Sequence, residues 1–145
     1  MEIYTIGFTQ TTAESFFGRL RESEIYRLVD VRLNNSSQLS GFAKAKDLPY
    51  FLQELIGATY EHEPLLAPNQ AMLDSYKKQG GSWETYERQF LALMRERSAA
   101  DRINRESFNQ PTALLCSEAT AEHCHRRLVC EYLNESWGEV NATHL

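Results

Sequence analysis

The residues richest in chemistry lie close together near the C-terminal end of the sequence. Cys116-Ser117-Glu118-Ala119-Thr120-Ala121-Glu122-His123-Cys124-His125-Arg126-Arg127 combines two thiols, two imidazoles, two carboxylates and two guanidinium groups. Such a set offers a nucleophile, proton acceptors and donors, and cations for an anion. Thr112-Ala113-Leu114-Leu115-Cys116 reads as a buried strand that carries Cys116 to its end. If Thr120 opens the next helix, that helix starts nearby with unpaired N–H groups and a positive dipole end. Such a place favours an anion and lowers the pKa of a thiol held there. Arg126 or Arg127 could point back at a carboxylate or phosphate, for which the planar guanidinium suits two-point contact. On this reading Cys116 is the nucleophile, Glu118 and His125 are the acid–base groups, and Arg126 holds the anion. A structural reading stands beside it. Free cysteine is among the most buried residue types, so Cys116 can simply finish a core strand. Arg127 and Glu131 can form an i,i+4 pair on a solvated face.

The same thiols and imidazoles suit zinc or iron. Their spacing is neither a Cys-x2-Cys ribbon nor a two-His finger. His123, Cys124 and His125 are consecutive and point in different directions from a helix. A metal site would therefore need Cys116, one of these three, and a distant group such as His62. The sequence assigns no metal ligands and no cofactor.

A second signal is Leu28-Val29-Asp30-Val31-Arg32. A carboxylate inside an apolar strand is costly unless paired. Arg32, two residues on, falls on the same face and can be its partner. Arg32 would then be a ligand clamp oriented by Asp30, or half of a structural ion pair, or both. Lys44, in Phe42-Ala43-Lys44, could reach an anion or be solvated. His62 at a strand end could act as an acid or base, or be an ordinary edge histidine. Trp83, Tyr86 and Phe90 are spaced as a helix face, which is more often core than a base-stacking platform. Gly7 has no second glycine near it, so there is neither a dinucleotide fingerprint nor a phosphate loop. A G-x-S-x-G motif is also absent.

The elements that must position these groups alternate. Ile3–Ile6 reads as a strand ended by Gly7. Thr11 and Glu14 form a capping box for a helix burying Phe16, Phe17 and Leu20. Arg27–Val31 is a second strand, nearly all apolar, as suits a strand covered on both faces. The Leu33–Asp47 segment is long enough for a functional loop. Asp47 can cap a helix with Pro49 in its first turn, Leu48, Phe51, Leu52, Leu55 and Ile56 as its stripe, and Gly57 as its stop. Thr59–His62 is a weaker strand. Leu73 and Tyr76 suggest a short helix ended by Gly80-Gly81, and Ser82 caps a longer one. A further helix spans Arg102 to Phe108. After the Thr112–Cys116 strand, the last helix turns Leu128, Val129, Tyr132 and Leu133 inward, and Glu139–His144 can close the sheet. This order predicts a single α/β domain over residues 1–145, with a mainly parallel sheet of about five strands flanked by helices in a Rossmann-like three-layer arrangement. Ligands of such sheets bind beyond the carboxyl ends of the strands. Here those ends are Gly7-Phe8-Thr9, Arg32, His62 and Cys116-Ser117-Glu118.

Composition narrows the function classes. A chain of 145 residues with 42% hydrophobic and 24% charged residues has the balance of a globular domain, which excludes a disordered chain. Twenty acidic against fifteen basic residues give a net charge of −5, which disfavours generic binding to a nucleic-acid backbone. An odd number of clustered cysteines is no secreted disulfide framework. MEIYTIGF has neither the basic start nor the long apolar core of a signal peptide, and no run is apolar enough to span a membrane. A cytoplasmic protein is the expectation.

Thr5-Ile6-Gly7-Phe8, Leu28-Val29-Asp30-Val31-Arg32-Leu33-Asn34, Gly41-Phe42-Ala43-Lys44, Leu115-Cys116-Ser117-Glu118 and His123-Cys124-His125-Arg126-Arg127-Leu128-Val129 together closely resemble the family catalogued as Domain of Unknown Function 488. The likeness covers essentially the whole chain. It implies motif positions at Gly7, Asp30, Arg32, Cys116, Glu118, Cys124, His125 and Arg126, and no assigned activity. Family members often carry a Leu-Gly pair after the third strand, where this chain has Leu65-Leu66-Ala67-Pro68. A looser likeness is to rhodanese-type sulfurtransferases, which also place Asp-Val-Arg on one strand and a catalytic Cys at the end of another. Those enzymes close a short loop around their Cys, whereas the segment between Cys116 and the arginines is longer and contains Glu118.

The expectation is a site for a small anionic ligand, a nucleotide or phosphorylated metabolite, held by Gly7, Asp30, Arg32, Lys44 and Arg126 beside Cys116. The alternatives are a non-catalytic module binding nucleic acid or protein, a metal protein using Cys116 and neighbouring His or Cys, and a structural lock in which Glu118 bridges to Arg32.

Overall fold

The computed structural model describes residues 1–118 and 120–145, with the backbone alone at Gln38 and Leu39. Strands β1 (Glu2–Gly7), β2 (Arg27–Asp30), β3 (Thr59–His62), β4 (Thr112–Cys116) and β5 (Asn141–His144) form one sheet. The helices are α1 (Ala13–Glu22), α2 (Leu48–Ile56), α3 (Gln70–Lys77), α4 (Trp83–Arg97), α5 (Ala99–Arg102) and α6 (His125–Trp137). Every strand pair is parallel, in the order β3-β2-β4-β1-β5.

The central strands β2 and β4 are buried at every position, the apolar residues of both as a strand covered on two faces requires and the charged Arg27 and Asp30 of β2 within ion pairs with Glu61 and Arg32. Alternation along β4 then separates two cores. Ala113 and Leu115 join Phe16, Leu20, Leu48 and Leu52 from α1 and α2. Leu114 and Cys116 join Phe90 and Met94 of α4 with Leu128 and Leu133 of α6. The result is an α/β domain of three layers, and Cys116 emerges on the α4–α6 side.

The topology places a crevice where the site residues lie. From β2 the chain runs outward through α2 to β3, whereas from β4 it runs through α6 across β1 to β5. Adjacent strands whose connections leave in opposite directions cannot have their carboxyl ends covered by either connection. Asp30 lies opposite Leu115 across that pair, and the Val31 N–H donates to the Leu115 carbonyl at 3.1 Å. Gly7 pairs with Cys116 on the other side.

Several local expectations are corrected. The last helix begins at His125, not Thr120, with Cys124 in extended backbone (φ −137°, ψ 139°) before it. The apolar stripe that packs on the sheet starts only within α6, so nothing draws the preceding segment into the helix. Thr12, rather than Thr11, caps α1 by accepting from the Ser15 N–H, while the Thr11 hydroxyl accepts from Arg19. Asp47 precedes α2 without a side-chain cap bond and pairs with Lys44 instead. The Arg102–Phe108 helix is replaced by α5 and a 3₁₀ turn over Arg105–Asn109, because Ile103 between them is extended (ψ 155°). The Leu33–Asp47 loop contains a 3₁₀ segment, Gln38–Ala43, in which Gly41 takes φ 53°. Gly57 ends α2 in the left-handed region and Ser82 caps α4, as their types predict.

Candidate functional site

A cleft of about 310 Å³ opens at the carboxyl ends of β2 and β4. Arg32, Cys116, Glu118, Cys124 and His125 line one side of it, and Tyr76 and Lys77 of α3 with Trp83 and Tyr86 of α4 line the other. The two stretches ending in Asp-Val-Arg and Cys-Ser-Glu therefore reach one cavity.

The Cys116 sulfur lies 3.4 Å from Nδ1 of His125. The other ring nitrogen, Nε2, is 2.7 Å from the Val31 carbonyl oxygen. A carbonyl can only accept, so Nε2 carries a proton and Nδ1 is left to exchange one with the thiol. Phe90 packs against the imidazole, with ring centroids 5.4 Å apart. A nucleophile, a base and a third group that orients the base thus stand in line. Burial works against the Cys116 thiolate, but the Cys124 S–H, the charge of His125 and the Glu118 backbone N–H outweigh it and hold this thiol well below the ordinary range. Burial likewise opposes the imidazolium, and the charge and hydrogen bond of Cys116, with the Val31 carbonyl, raise His125. Both directions describe a thiolate–imidazolium pair.

Cys124 is the second thiol of the site. Burial and the neighbouring Cys116 sulfur push its pKa far up, so it remains protonated. The Cys116 and Cys124 sulfurs and a ring nitrogen of His125 all lie within 4.8 Å of one another. Two thiols and one imidazole form a donor set that zinc accepts. His62, the distant group considered from the sequence, is elsewhere, with Nε2 on the Arg32 carbonyl oxygen at 2.8 Å.

Behind the cleft wall, Asp30 is completely buried and Arg32 is 2% exposed. Arg32 donates from Nε to Oδ1 (2.8 Å) and from Nη2 to Oδ2 (2.7 Å) of Asp30. Asp30 also accepts from the Arg32 N–H and the Tyr60 hydroxyl, and Arg32 donates to the Ala43 carbonyl. Burial and this bond to Asp30 push the Tyr60 pKa up, so it stays a donor. The Phe8 ring covers the guanidinium at 5.2 Å. Nη1 of Arg32 is buried and has no hydrogen-bond partner among the described residues. A buried donor left over at a cleft wall needs an explanation, and a ligand supplies one.

The loop between Cys116 and α6 is held from below. Arg126, 1% exposed, donates from Nη1 to the Glu118 carbonyl oxygen at 2.7 Å. A Cβ on Gly7 would lie 1.6 Å from that oxygen and 2.3 Å from the Arg126 guanidinium, so only glycine fits there. The Thr9 N–H donates to the Ser117 carbonyl at 3.0 Å. Gly7 and Arg126 thus stand under the loop, not among the residues lining the cleft. From above, the His123 ring stacks on Trp83 (5.1 Å, 23°), and Lys77 pairs with the Glu118 carboxylate. Burial opposes the Lys77 ammonium, but Glu118 and then Cys116 outweigh it and raise its pKa. Glu118 pairs with Lys77, and Arg32 with Asp30, so the lock bridging Glu118 to Arg32 is not formed. Lys44 pairs with Asp47 outside the cleft lining.

Sequence reasoning did not place Lys77 in the site, and for Trp83 and Tyr86 it favoured a core face over a stacking platform, whereas both line the cleft. Lys77 and Glu118 are 41 positions apart, and no local pattern joins them. For Cys124 the signal was present as a second thiol beside His125, but its orientation depended on where α6 begins.

Among the described residues no helix is long and apolar enough to cross a membrane. No curated protein and no solved structure matches the sequence significantly. A family model matches residues 12–133, spanning β2, β4, most of α6 and the Cys116–His125 site, and by that match the chain belongs to the family described as Domain of unknown function DUF488.

Proposed function

We propose that the cleft binds a small anionic ligand, a nucleotide or phosphorylated metabolite in class, and that Cys116 is the nucleophile that acts on it. The observation carrying this reading is the alignment of the Cys116 sulfur, Nδ1 of His125 at 3.4 Å and the Val31 carbonyl at 2.7 Å from Nε2, at the bottom of an open cleft. His125 takes the thiol proton and later returns it to a leaving group. The spare Nη1 donor of Arg32 and the ammonium of Lys77 engage the anion, while Asp30 fixes the guanidinium in place. Lys77 also neutralises Glu118, so that the carboxylate does not repel an anion at the thiol. Arg126 is a positioning residue, acting through the Glu118 carbonyl. A surface patch of arginines for nucleic acid gains no support, because Arg126 is buried and Arg127 pairs with Glu87 and Glu131.

The test is alkylation of the reduced protein by iodoacetamide across pH, with the site mapped by mass. Support is selective labelling of Cys116 with half-maximal rate well below pH ~8.5, the ordinary thiol value, and saturable protection by AMP or inorganic phosphate. Labelling that follows an ordinary thiol and ignores both anions would overturn the proposal. Cys116→Ser should keep the native circular dichroism and lose the label.

The position of Cys124 favours one second reading, a zinc centre made by the same three donors. A metal would consume the sulfur lone pairs that nucleophilic attack needs, so the two uses exclude each other. Elemental analysis after purification without a metal-affinity tag separates them. Stoichiometric zinc that survives dialysis supports the metal centre, and its absence leaves the thiol free to react.

A further inference from the structure

We infer that Cys116 and Cys124 form a working dithiol–disulfide couple, so that the site also reduces small hydroperoxides by two electrons. The inference rests on Cys116 being the reactive thiol of the proposed function, and adds to it a role for the thiol that function leaves idle.

The geometry favours this pairing over any other. The two sulfurs lie within 4.8 Å of each other, with the His125 ring nitrogen in the same cluster. A disulfide needs the sulfurs at about 2.05 Å and the Cβ atoms at about 3.8 Å, so a shift of a few ångströms suffices. Rotation of the Cys124 side chain supplies it: Cys124 precedes α6 in extended backbone, its N–H on the Ala121 carbonyl (3.3 Å) and its carbonyl accepting from the Arg127 N–H (3.2 Å), and these bonds leave its Cα–Cβ bond to turn. Both residues line the cleft, which gives a small oxidant a path to Cys116. Cys130 lies further along α6, outside this cluster, and burial pushes its thiol up to about 12. It is a built-in control.

The steps balance. The Cys116 thiolate attacks the terminal oxygen of a hydroperoxide, the O–O bond breaks, and the alkoxide released takes the proton of the His125 imidazolium. Cys116 is then a sulfenic acid, oxidised by two electrons. Cys124 gives its proton to the now neutral His125 and attacks the Cys116 sulfur. The S–S bond forms, the S–O bond breaks, and the departing hydroxide takes that proton as water. The net change is two thiols and one hydroperoxide to one disulfide, one alcohol and one water. A dithiol reductant restores the starting state.

Trypsin releases both cysteines in one peptide, residues 106–126, bounded by Arg105 and Arg126, while Cys130 falls in another. Hydrogen peroxide at a small molar excess should lower the mass of that peptide by about 2 Da, reversibly with dithiothreitol, and leave Cys130 reduced. Cys124→Ser should stop at the sulfenic acid, trapped by dimedone at Cys116. Cys130→Ala should behave as wild type. The wild-type measurement alone decides if Cys124→Ser fails to fold. Wild-type protein that passes to sulfinic acid at Cys116, with no loss of 2 Da, overturns the couple while leaving the nucleophile standing. Failure of Cys116 to react with iodoacetamide as well as peroxide overturns both.

Discussion

The imidazole of His125 is bonded through Nε2 to the carbonyl oxygen of Val31, one residue beyond the end of β2. This bond joins the two halves of the site. It fixes the tautomer, turns Nδ1 toward the sulfur at the end of β4, and makes the state of Cys116 depend on the register of β2 beside β4. A histidine in the first turn of a helix would otherwise be free to face solvent.

The first prediction follows from the charges around Cys116. His125 approaches from α6, Lys77 from α3 and the Glu118 N–H from the loop, and the Cys124 S–H adds a further donor. Burial alone would raise the thiol. Without the imidazolium the balance therefore moves upward, and less thiolate is present at neutral pH. In His125→Asn the alkylation rate at pH 7 should fall at least about tenfold, the consequence of each unit of pKa, and its half-maximum should move to higher pH. Stopped-flow or mass-resolved alkylation reads both. An unchanged profile would remove His125 from the chemistry.

Gly7→Ala tests the support beneath the loop. The new methyl group meets the backbone oxygen of Glu118, which cannot rotate away as a side chain could. The loop must lift, or β1 must shift against β4. Overpacking of this kind costs roughly 1–3 kcal/mol. Urea unfolding should show that loss, and Cys116 should lose its low-pH reactivity, because the Glu118 N–H that faces it moves too. A variant with wild-type stability and wild-type reactivity would show that the loop does not need this close approach.

Some of this arrangement was legible in the sequence, and the reasons are physical. Thr112–Cys116 could be read as a buried strand because its apolar run is unbroken, and that alone placed Cys116 at a carboxyl end. Asp30 could be read as partnered because a carboxylate cannot remain alone inside such a strand, and Arg32 was the nearest cation on its face. The start of α6 was not legible. Thr120, Ala121 and Glu122 are compatible with a helix, and what holds the stretch out of one comes from afar, through Gly7, Arg126 and Trp83. The pairing of Lys77 with Glu118 depends on how α3 packs over the cleft, which no spacing within either segment encodes.

Asp30→Asn tests the ion pair behind the wall. Among the described residues the carboxylate has five contacts, from two nitrogens of the Arg32 side chain, the Arg32 N–H, Tyr60 and Asn35. Replacing it leaves a guanidinium only 2% exposed with no counter-charge. Breaking a buried pair from one side costs about 3–5 kcal/mol. Adding Arg32→Met should recover part of the loss by removing the orphaned charge, which a double-mutant cycle in urea measures. A cost for the single variant below about 1 kcal/mol, the range of an exposed pair, would mean that water reaches the guanidinium.

Lys77→Gln separates an electrostatic role from a structural one. The side chains of Lys77 and Glu118 are 51% and 39% exposed, so solvent screens the pair and its loss should change stability by no more than ~1 kcal/mol. Its effect on the cleft is different, because Glu118 is then left uncompensated near the Cys116 sulfur. Lys77 and the Cys116 thiolate sense each other's charge, and ~1 kcal/mol, the general value for two charges about 4 Å apart in water, sets the scale at roughly fivefold in a rate. Iodoacetate carries a negative charge and iodoacetamide does not, so the ratio of their rates at Cys116 reports the local potential. That ratio should fall several-fold in Lys77→Gln and rise again when Glu118→Gln is added, with the melting temperature nearly constant throughout. Equal ratios in all three proteins would show that Lys77 does not set the potential an anion meets at the thiol.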